Sequence, residues 1–136
     1  MSEKIPATLA IVDDHALTRK TLSCRFASLG YNVVMEAENV KEFIAQITVH
    51  SASAPDICLL DVKMPVTGWL ETAIRFKRNW PGIKILFFSM PKSDTYINML
   101  MEIGVDGFIS KKAPFAELNN ALLNLVKKGN FNTHSH

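Results

Sequence analysis

Residues 9–14 read LAIVDD, so four apolar residues are followed at once by two aspartates. The stretch ICLLD at residues 57–61 repeats this arrangement with one aspartate. A short, unbroken apolar run is typical of a strand that is buried on both faces of a parallel sheet. Both stretches therefore predict strands that end in carboxylates.

Further apolar runs lie outward from these two, at residues 33–35, 83–88 and 107–109. The segments that follow the runs carry apolar residues at helical spacing. The chain is thus predicted to repeat a strand–helix unit five times. The apolar residues of the predicted helices are, in order, Leu22, Phe26 and Leu29; Val40, Phe43, Ile44 and Ile47; Leu70, Ala73 and Ile74; Ile97, Leu100 and Met101; and Phe115, Leu118, Ala121, Leu122 and Leu125.

Residues that begin or end helices flank these sets. Gly30 and Gly104 are expected to end the first and fourth helices, because glycine adopts the left-handed conformation at little steric cost. Asn39, with Glu42 three residues later, resembles a capping box at the start of the second helix.

The repeated unit predicts an α/β fold. Right-handed crossovers place helices on both faces of a parallel sheet, and five units are too few for an eight-stranded barrel. We therefore predict a doubly wound, five-stranded parallel sheet with strand order 2-1-3-4-5. Residues 1–129 are expected to form this single domain, and residues 130–136 a tail or the start of a linker.

The composition argues against several classes of protein. The 136 residues carry a net charge of +2, without the basic clusters that predict direct nucleic-acid binding. No signal peptide and no apolar run of membrane-spanning length is present in the sequence, so a cytoplasmic location is predicted. Cys24 and Cys58 lack metal-ligand spacing and are expected to be reduced thiols.

Polar residues follow four of the predicted strands. In such sheets, ligands bind beyond the strand ends where the strand order reverses, which brings Asp13 and Asp14 together with Asp61. Asp13 and Asp14 alone would also suit a helix N-cap. Three neighbouring carboxylates repel one another, and Mg²⁺ is a counter-ion that suits oxygen ligands. Ser89 and Lys111, after the fourth and fifth strands, would add a hydroxyl donor and a positive charge for a phosphate.

From about residue 9 to residue 128, the chain resembles the receiver domains of bacterial two-component response regulators. The matching motifs are VDDH at 12–15, LLDVKMPVTG at 59–68, FFSM at 87–90 and GFISKKAP at 107–114. The loop D-x-x-M-P-x-x-G from Asp61 to Gly68 is the most specific. The DDH triplet and the Lys-x-Ala of Lys111 to Ala113 look most like receivers of LuxR/NarL-type regulators. The resemblance implies the flavodoxin-like receiver fold.

The resemblance also implies that Asp61 is the phosphoacceptor, since a carboxylate nucleophile can form an aspartyl phosphate. A sensor histidine kinase or a phosphotransfer protein would donate the phosphoryl group, and Lys111 would pair with it. The chain would then be a phosphoacceptor that catalyses only its own phosphotransfer and dephosphorylation, and not otherwise an enzyme. The residues implied to hold Mg²⁺ are Asp13, Asp14, Asp61 and, through its backbone carbonyl, Lys63.

Ser89 and Phe108 match the positions that switch conformation in this family. Phosphorylation would draw Ser89 toward the phosphoryl oxygens, and Phe108 would rotate into the space behind it. The surface formed by the fourth helix, fifth strand and fifth helix would change, which would allow phosphorylation-dependent dimerisation. From spacing alone, Phe108 also fits a strand residue on an apolar face.

The chain departs from its relatives at three positions. Lys63 stands where its side chain could overhang the acyl phosphate, and Met90 is bulky where many relatives carry a small residue. Lys112 replaces a common proline, so a trans peptide bond is favoured between Lys111 and Lys112.

Other functions are weighed against this interpretation. A haloacid-dehalogenase-type phosphatase has D-x-D after its first strand, whereas Asp61-Val62-Lys63 follows the third strand here. No G-x-G-x-x-G for a dinucleotide follows the first strand. A receiver that acts only through protein–protein interaction is the remaining alternative. The output is open between a stand-alone receiver and the front half of a transcription regulator with a LuxR-type output domain.

Overall fold

The computed structural model describes residues 4–50, 54–61, 69–89, 98, 101–102 and 104–129. Adjacent strands are parallel and have the order 2-1-3-4-5, which confirms the predicted sheet. Among these residues, no helix has the length and apolar character of a membrane span. The elements are strands β1 (Thr8–Val12), β2 (Asn32–Ala37), β3 (Ile57–Leu60), β4 (Lys84–Ser89) and β5 (Gly107–Ser110), helices α1 (Ala16–Ser28), α2 (Val40–Val49) and α3 (Trp69–Asn79), and a C-terminal helix (Phe115–Gly129).

Two predicted segments fall largely or wholly beyond these residues. The predicted fourth helix, marked by Ile97, Leu100 and Met101, lies mostly outside the described residues. The tail at residues 130–136 also lies outside them.

The central strand β1 shows why the apolar runs are unbroken. Ala10 and Val12 pack in the core that α2 and α3 cover, whereas Leu9 and Ile11 pack in the core under α1 and the C-terminal helix. All four side chains are at most 1 % exposed. Since successive strand residues point to opposite faces, a strand with two covered faces needs apolar residues at every position.

Three residues expected on the apolar helix faces are more exposed than predicted, and one of them, Met101 of the predicted fourth helix, is 48 % exposed. Leu29 is 38 % exposed because it caps the C-terminus of α1 and lies beyond its buried face. Ile74 of α3 is 40 % exposed, and Phe76 is buried in its place. Residues two apart on a helix differ by about 200° in direction, so α3 cannot bury both.

The helix-ending residues largely act as predicted. Gly30 and Gly104 have φ angles of 99° and 105°, in the left-handed region. Asn39 Oδ1 accepts a hydrogen bond from the Glu42 amide at 2.8 Å. The reciprocal bond of a capping box differs, because the Glu42 carboxylate accepts from the amide of Glu38 at 2.7 Å and not from that of Asn39.

Candidate functional site

The register of β1 and β3 sets two aspartates side by side. Val12 pairs with Leu60, so Asp13 and Asp61 are the next residues on adjacent strands. The ladder continues past both strand ends, because the Asp61 amide donates to the Val12 carbonyl at 2.9 Å and the Asp13 amide donates to the Ala37 carbonyl at 3.0 Å. The backbone that carries both carboxylates is therefore held by the sheet.

Asp13, Asp14 and Asp61 form an acidic cluster at this edge. Each offers a carboxylate oxygen within 4.8 Å of the others. The side chains of Asp13 and Asp61 are 1 % and 2 % exposed, whereas Asp14 is exposed. Asp13 Oδ2 and Asp61 Oδ1 are buried without a hydrogen-bond partner. Buried charged oxygens without partners are costly, and hard oxygen donors are the ligands that Mg²⁺ prefers, so the cluster fits this ion.

Lys111 supplies a positive charge from the neighbouring part of the sheet. Its Nζ donates a hydrogen bond to Asp61 Oδ2 at 2.5 Å and lies 3.9 Å from Asp13 Oδ2. The same Nζ lies 5.7 Å from the ring centroid of Phe88, within cation–π range. Lys111 therefore balances part of the negative charge of the cluster.

The turn that carries Lys111 is held by its own hydrogen bonds. Ser110 Oγ accepts from the Lys112 amide at 3.0 Å, and the Ser110 carbonyl accepts from the Ala113 amide at 3.0 Å. No peptide bond within the described part of the chain is cis, so the bond between Lys111 and Lys112 is trans, as favoured from the sequence.

The Asp61 carboxyl has an altered acidity. Burial raises the pKa of Asp61 to about 6, and the nearby Asp13 carboxylate adds to this rise. The hydrogen bond and the charge of Lys111 lower the pKa and offset part of it. Ionisation of Asp61 therefore costs more free energy than that of a solvent-exposed aspartate, and a further positive charge nearby would lower this cost.

This raised pKa predicts a pH-dependent effect of Asp61→Asn on metal-free protein. The pKa of Asp61 is higher in the folded protein than in the unfolded chain, so protonation of Asp61 stabilises the fold at a pH below the unfolded pKa. This stabilisation is lost as the pH rises through about 6. Near pH 4, where Asp61 is neutral in the folded protein, the variant and the wild type should have the same free energy of unfolding. Near pH 7 the free energy of unfolding of the variant should be higher by about 1–3 kcal/mol. Urea unfolding in a metal chelator measures both values. A difference that does not change with pH would contradict this electrostatic explanation.

The predicted switch residues are described only in part. Phe108 pairs with Phe87 on β4, is partly buried and packs against the core under α2 and α3. Ser89 pairs with Ser110 at the end of β4, but its side chain lies outside the description. Lys63 and Met90 also lie outside the described residues.

The structure adds contacts that the sequence did not predict. Phe88 contacts the amine of Lys111, as described above. His15 caps α1, because its Nδ1 accepts from the Thr18 amide at 3.2 Å. Arg19 donates to the backbone carbonyl of Asp13 at 2.6 Å. The contact between Arg19 and Asp13 depends on where α1 lies on the sheet, so it could not be predicted from sequence spacing alone.

The fold and the site together define a parallel α/β protein with an acidic crevice at the ends of β1 and β3, faced by a lysine that follows β5. The family model of the response regulator receiver domain matches residues 9–123. The chain therefore belongs to the receiver domain family, and the resemblance seen in its motifs is confirmed.

Individual relatives agree with this family. Response regulator GacA of Pseudomonas viridiflava is 32% identical over 113 residues, which cover 82% of this chain and 51% of that protein. The nitrate/nitrite response regulator NarL of Escherichia coli K12 is 29% identical over 124 residues, or 90% of this chain and 56% of that protein. The chain thus spans about half the length of these relatives.

Solved structures show the same architecture. The crystal structure of a two-component response regulator of the LuxR family from Aurantimonas sp. SI85-9A1 superposes with a TM-score of 0.76. That structure is 25% identical in sequence, and the match covers 90% of this chain and 86% of that one.

Proposed function

We propose that Asp61 accepts a phosphoryl group from a sensor histidine kinase or a phosphotransfer protein. The observation that supports this most is a 2 % exposed carboxylate, Asp61, next to a lysine amine at 2.5 Å and two further carboxylates within 4.8 Å. Receiver domains typically bind Mg²⁺ in such an acidic pocket. In this proposal Asp13, Asp14, Asp61 and the backbone carbonyl of Lys63 hold the ion.

In the proposed reaction, one carboxylate oxygen of Asp61 attacks the phosphorus of a phosphohistidine. An O–P bond forms while the N–P bond breaks, and the imidazole leaves with the electron pair and then takes up a proton. Bound Mg²⁺ would supply positive charge that offsets the charge of the transferring group. Lys111 supplies a second positive charge to the phosphoryl oxygens, and the sheet holds Asp61 in place.

The proposed readout of phosphorylation rests on the resemblance of Ser89 and Phe108 to the switch positions of the family. We propose that Ser89 moves toward the phosphoryl group, that Phe108 rotates, and that the surface of the predicted fourth helix, β5 and the C-terminal helix then changes. Since GacA and NarL are about twice as long as the matched region, a LuxR-type output domain that controls transcription is the proposed partner of this switch. A stand-alone receiver that acts by protein–protein interaction or homodimerisation is the alternative.

Treatment with Mg²⁺ and acetyl phosphate tests the proposal. The wild-type protein should gain one adduct of about 80 Da by intact-mass spectrometry, the mass expected for one phosphoryl group. The adduct should disappear in a metal chelator and in Asp61→Asn, since each removes a component of the reaction. Folded protein that gains no adduct with Mg²⁺ present would favour a receiver that acts by interaction alone.

A further inference from the structure

Arg19 joins helix α1 to the backbone of an acidic residue in the proposed metal site. Its Nη1 donates to the Asp13 carbonyl at 2.6 Å, and the Arg19 side chain is 14% exposed. On the other side of the same residue, Asp13 Oδ1 accepts a hydrogen bond from the His15 amide at 2.9 Å. The carbonyl and the carboxylate of Asp13 are therefore each held by a residue at the start of α1.

Glu36 on β2 forms an ion pair with the same guanidinium. Arg19 Nε lies 3.5 Å from Glu36 Oε1, and Ser23 Oγ donates to Glu36 Oε2 at 3.1 Å. The Glu36 backbone carbonyl accepts from Gln46 Nε2 at 2.9 Å, which ties this residue to α2. The planar guanidinium has several donors in a fixed arrangement, so Arg19 can bridge β1 and β2 as a single rigid group.

We propose that Arg19 is a positioning residue for the Mg²⁺ site, an inference that rests on the proposed function. By holding the Asp13 carbonyl, Arg19 limits rotation of the residue whose carboxylate faces Asp61. Groups that orient a metal ligand typically change metal affinity by about 10–100-fold when they are removed. This role is distinct from that of Lys111, which faces the carboxylates directly.

The charge of Arg19 acts in the opposite direction to its orienting effect. A cation near the site repels Mg²⁺, so its removal would strengthen metal binding if charge dominated. Glu36 offsets this charge, because its carboxylate lies 3.5 Å from the guanidinium. The orienting effect of Arg19 should therefore outweigh the effect of its charge. Weaker Mg²⁺ binding after removal of Arg19 would indicate orientation, and stronger binding would indicate charge.

Lys20 provides a matched control on the same helix. Its Nζ lies 3.3 Å from Glu36 Oε1, so Lys20→Ala and Arg19→Ala each remove one positive charge and one partner of Glu36. Lys20 is 67% exposed, and no contact described for it reaches Asp13. A difference between the two variants thus reports the contact with Asp13.

Isothermal titration calorimetry with Mg²⁺ alone measures the effect. We expect the Kd to rise about 10–100-fold in Arg19→Ala and to change less than about twofold in Lys20→Ala, where no ligand is disturbed. Thermal unfolding of each variant checks that it is folded, and Arg19→Gln replaces Arg19→Ala if the latter is not.

Amide nitrogen–proton spectra of metal-free protein give a second readout that needs no ion. The Asp13 and Asp14 signals should shift in Arg19→Ala and stay in place in Lys20→Ala. Equal or stronger Mg²⁺ binding by Arg19→Ala would overturn the inference while leaving the proposed function intact. A wild-type protein that binds no Mg²⁺ would overturn both.

Discussion

Asp13→Asn should weaken Mg²⁺ binding by about 100-fold and, in the absence of metal, raise the melting temperature. Asparagine keeps the oxygen that accepts from the His15 amide at 2.9 Å, so the local structure should survive. It removes one of the negative charges proposed to bind the ion. Loss of a direct ligand should lower Mg²⁺ affinity at least as much as loss of a group that orients a ligand. The substitution also removes the repulsion between Asp13 and Asp61, and the loss of this repulsion should stabilise the metal-free fold.

Asp56→Asn is the matched control for this variant. Asp56 lies just before β3, at the opposite end of the sheet, and its Oδ2 accepts from the Thr8 amide at 2.8 Å. The substitution removes the same charge far from the acidic cluster, so Mg²⁺ affinity measured by calorimetry should stay within about twofold, since charges this far apart are largely screened. Equal effects of both substitutions would mean that general charge, and not ligation, controls binding.

Lys111→Gln should slow phosphorylation of Asp61 by about 100–1,000-fold, the range seen when a group that stabilises developing charge is removed. The same variant should bind Mg²⁺ more tightly than the wild type, because Lys111 Nζ lies 2.5 Å from Asp61 and 3.9 Å from Asp13. A cation in that position competes electrostatically with the metal ion. Slower phosphorylation together with tighter metal binding would separate the two roles.

Lys112→Gln is the comparison for Lys111→Gln. Lys112 is exposed, and its backbone amide donates to Ser110 Oγ, a contact that does not depend on the side chain. Phosphorylation followed over time by intact-mass spectrometry should proceed at the wild-type rate in this variant. If Lys111→Gln were also unaffected, Lys111 would have no part in the transfer.

Much of the sheet could be predicted because its signals are local. The buried runs at residues 9–12 and 57–60 identify strands covered on both faces, and the aspartates after them lie where the chain leaves the sheet. The strand order then brings Asp13 beside Asp61, as the register of β1 and β3 shows. Position at a strand end, together with the predicted strand order, was therefore enough to predict the acidic cluster.

Contacts that depend on helix placement could not be predicted in this way. The bond from Arg19 to Asp13 and the ion pair of Arg19 with Glu36 need a particular placement of α1 against β1 and β2. The choice between Ile74 and Phe76 on α3 also depends on how the helix is rotated against the sheet. Spacing defines an apolar stripe, but packing decides which residues of the stripe face inward.

The position of the phosphoryl group is the most direct test of the proposed function. Protein treated with acetyl phosphate and Mg²⁺ would be reduced with borohydride, which converts an aspartyl phosphate into homoserine, then digested and sequenced by tandem mass spectrometry. Homoserine should appear at Asp61 and be absent without Mg²⁺. Homoserine at Asp13 or Asp14, or phosphate retained on His15, would contradict the assignment of Asp61 as the phosphoacceptor.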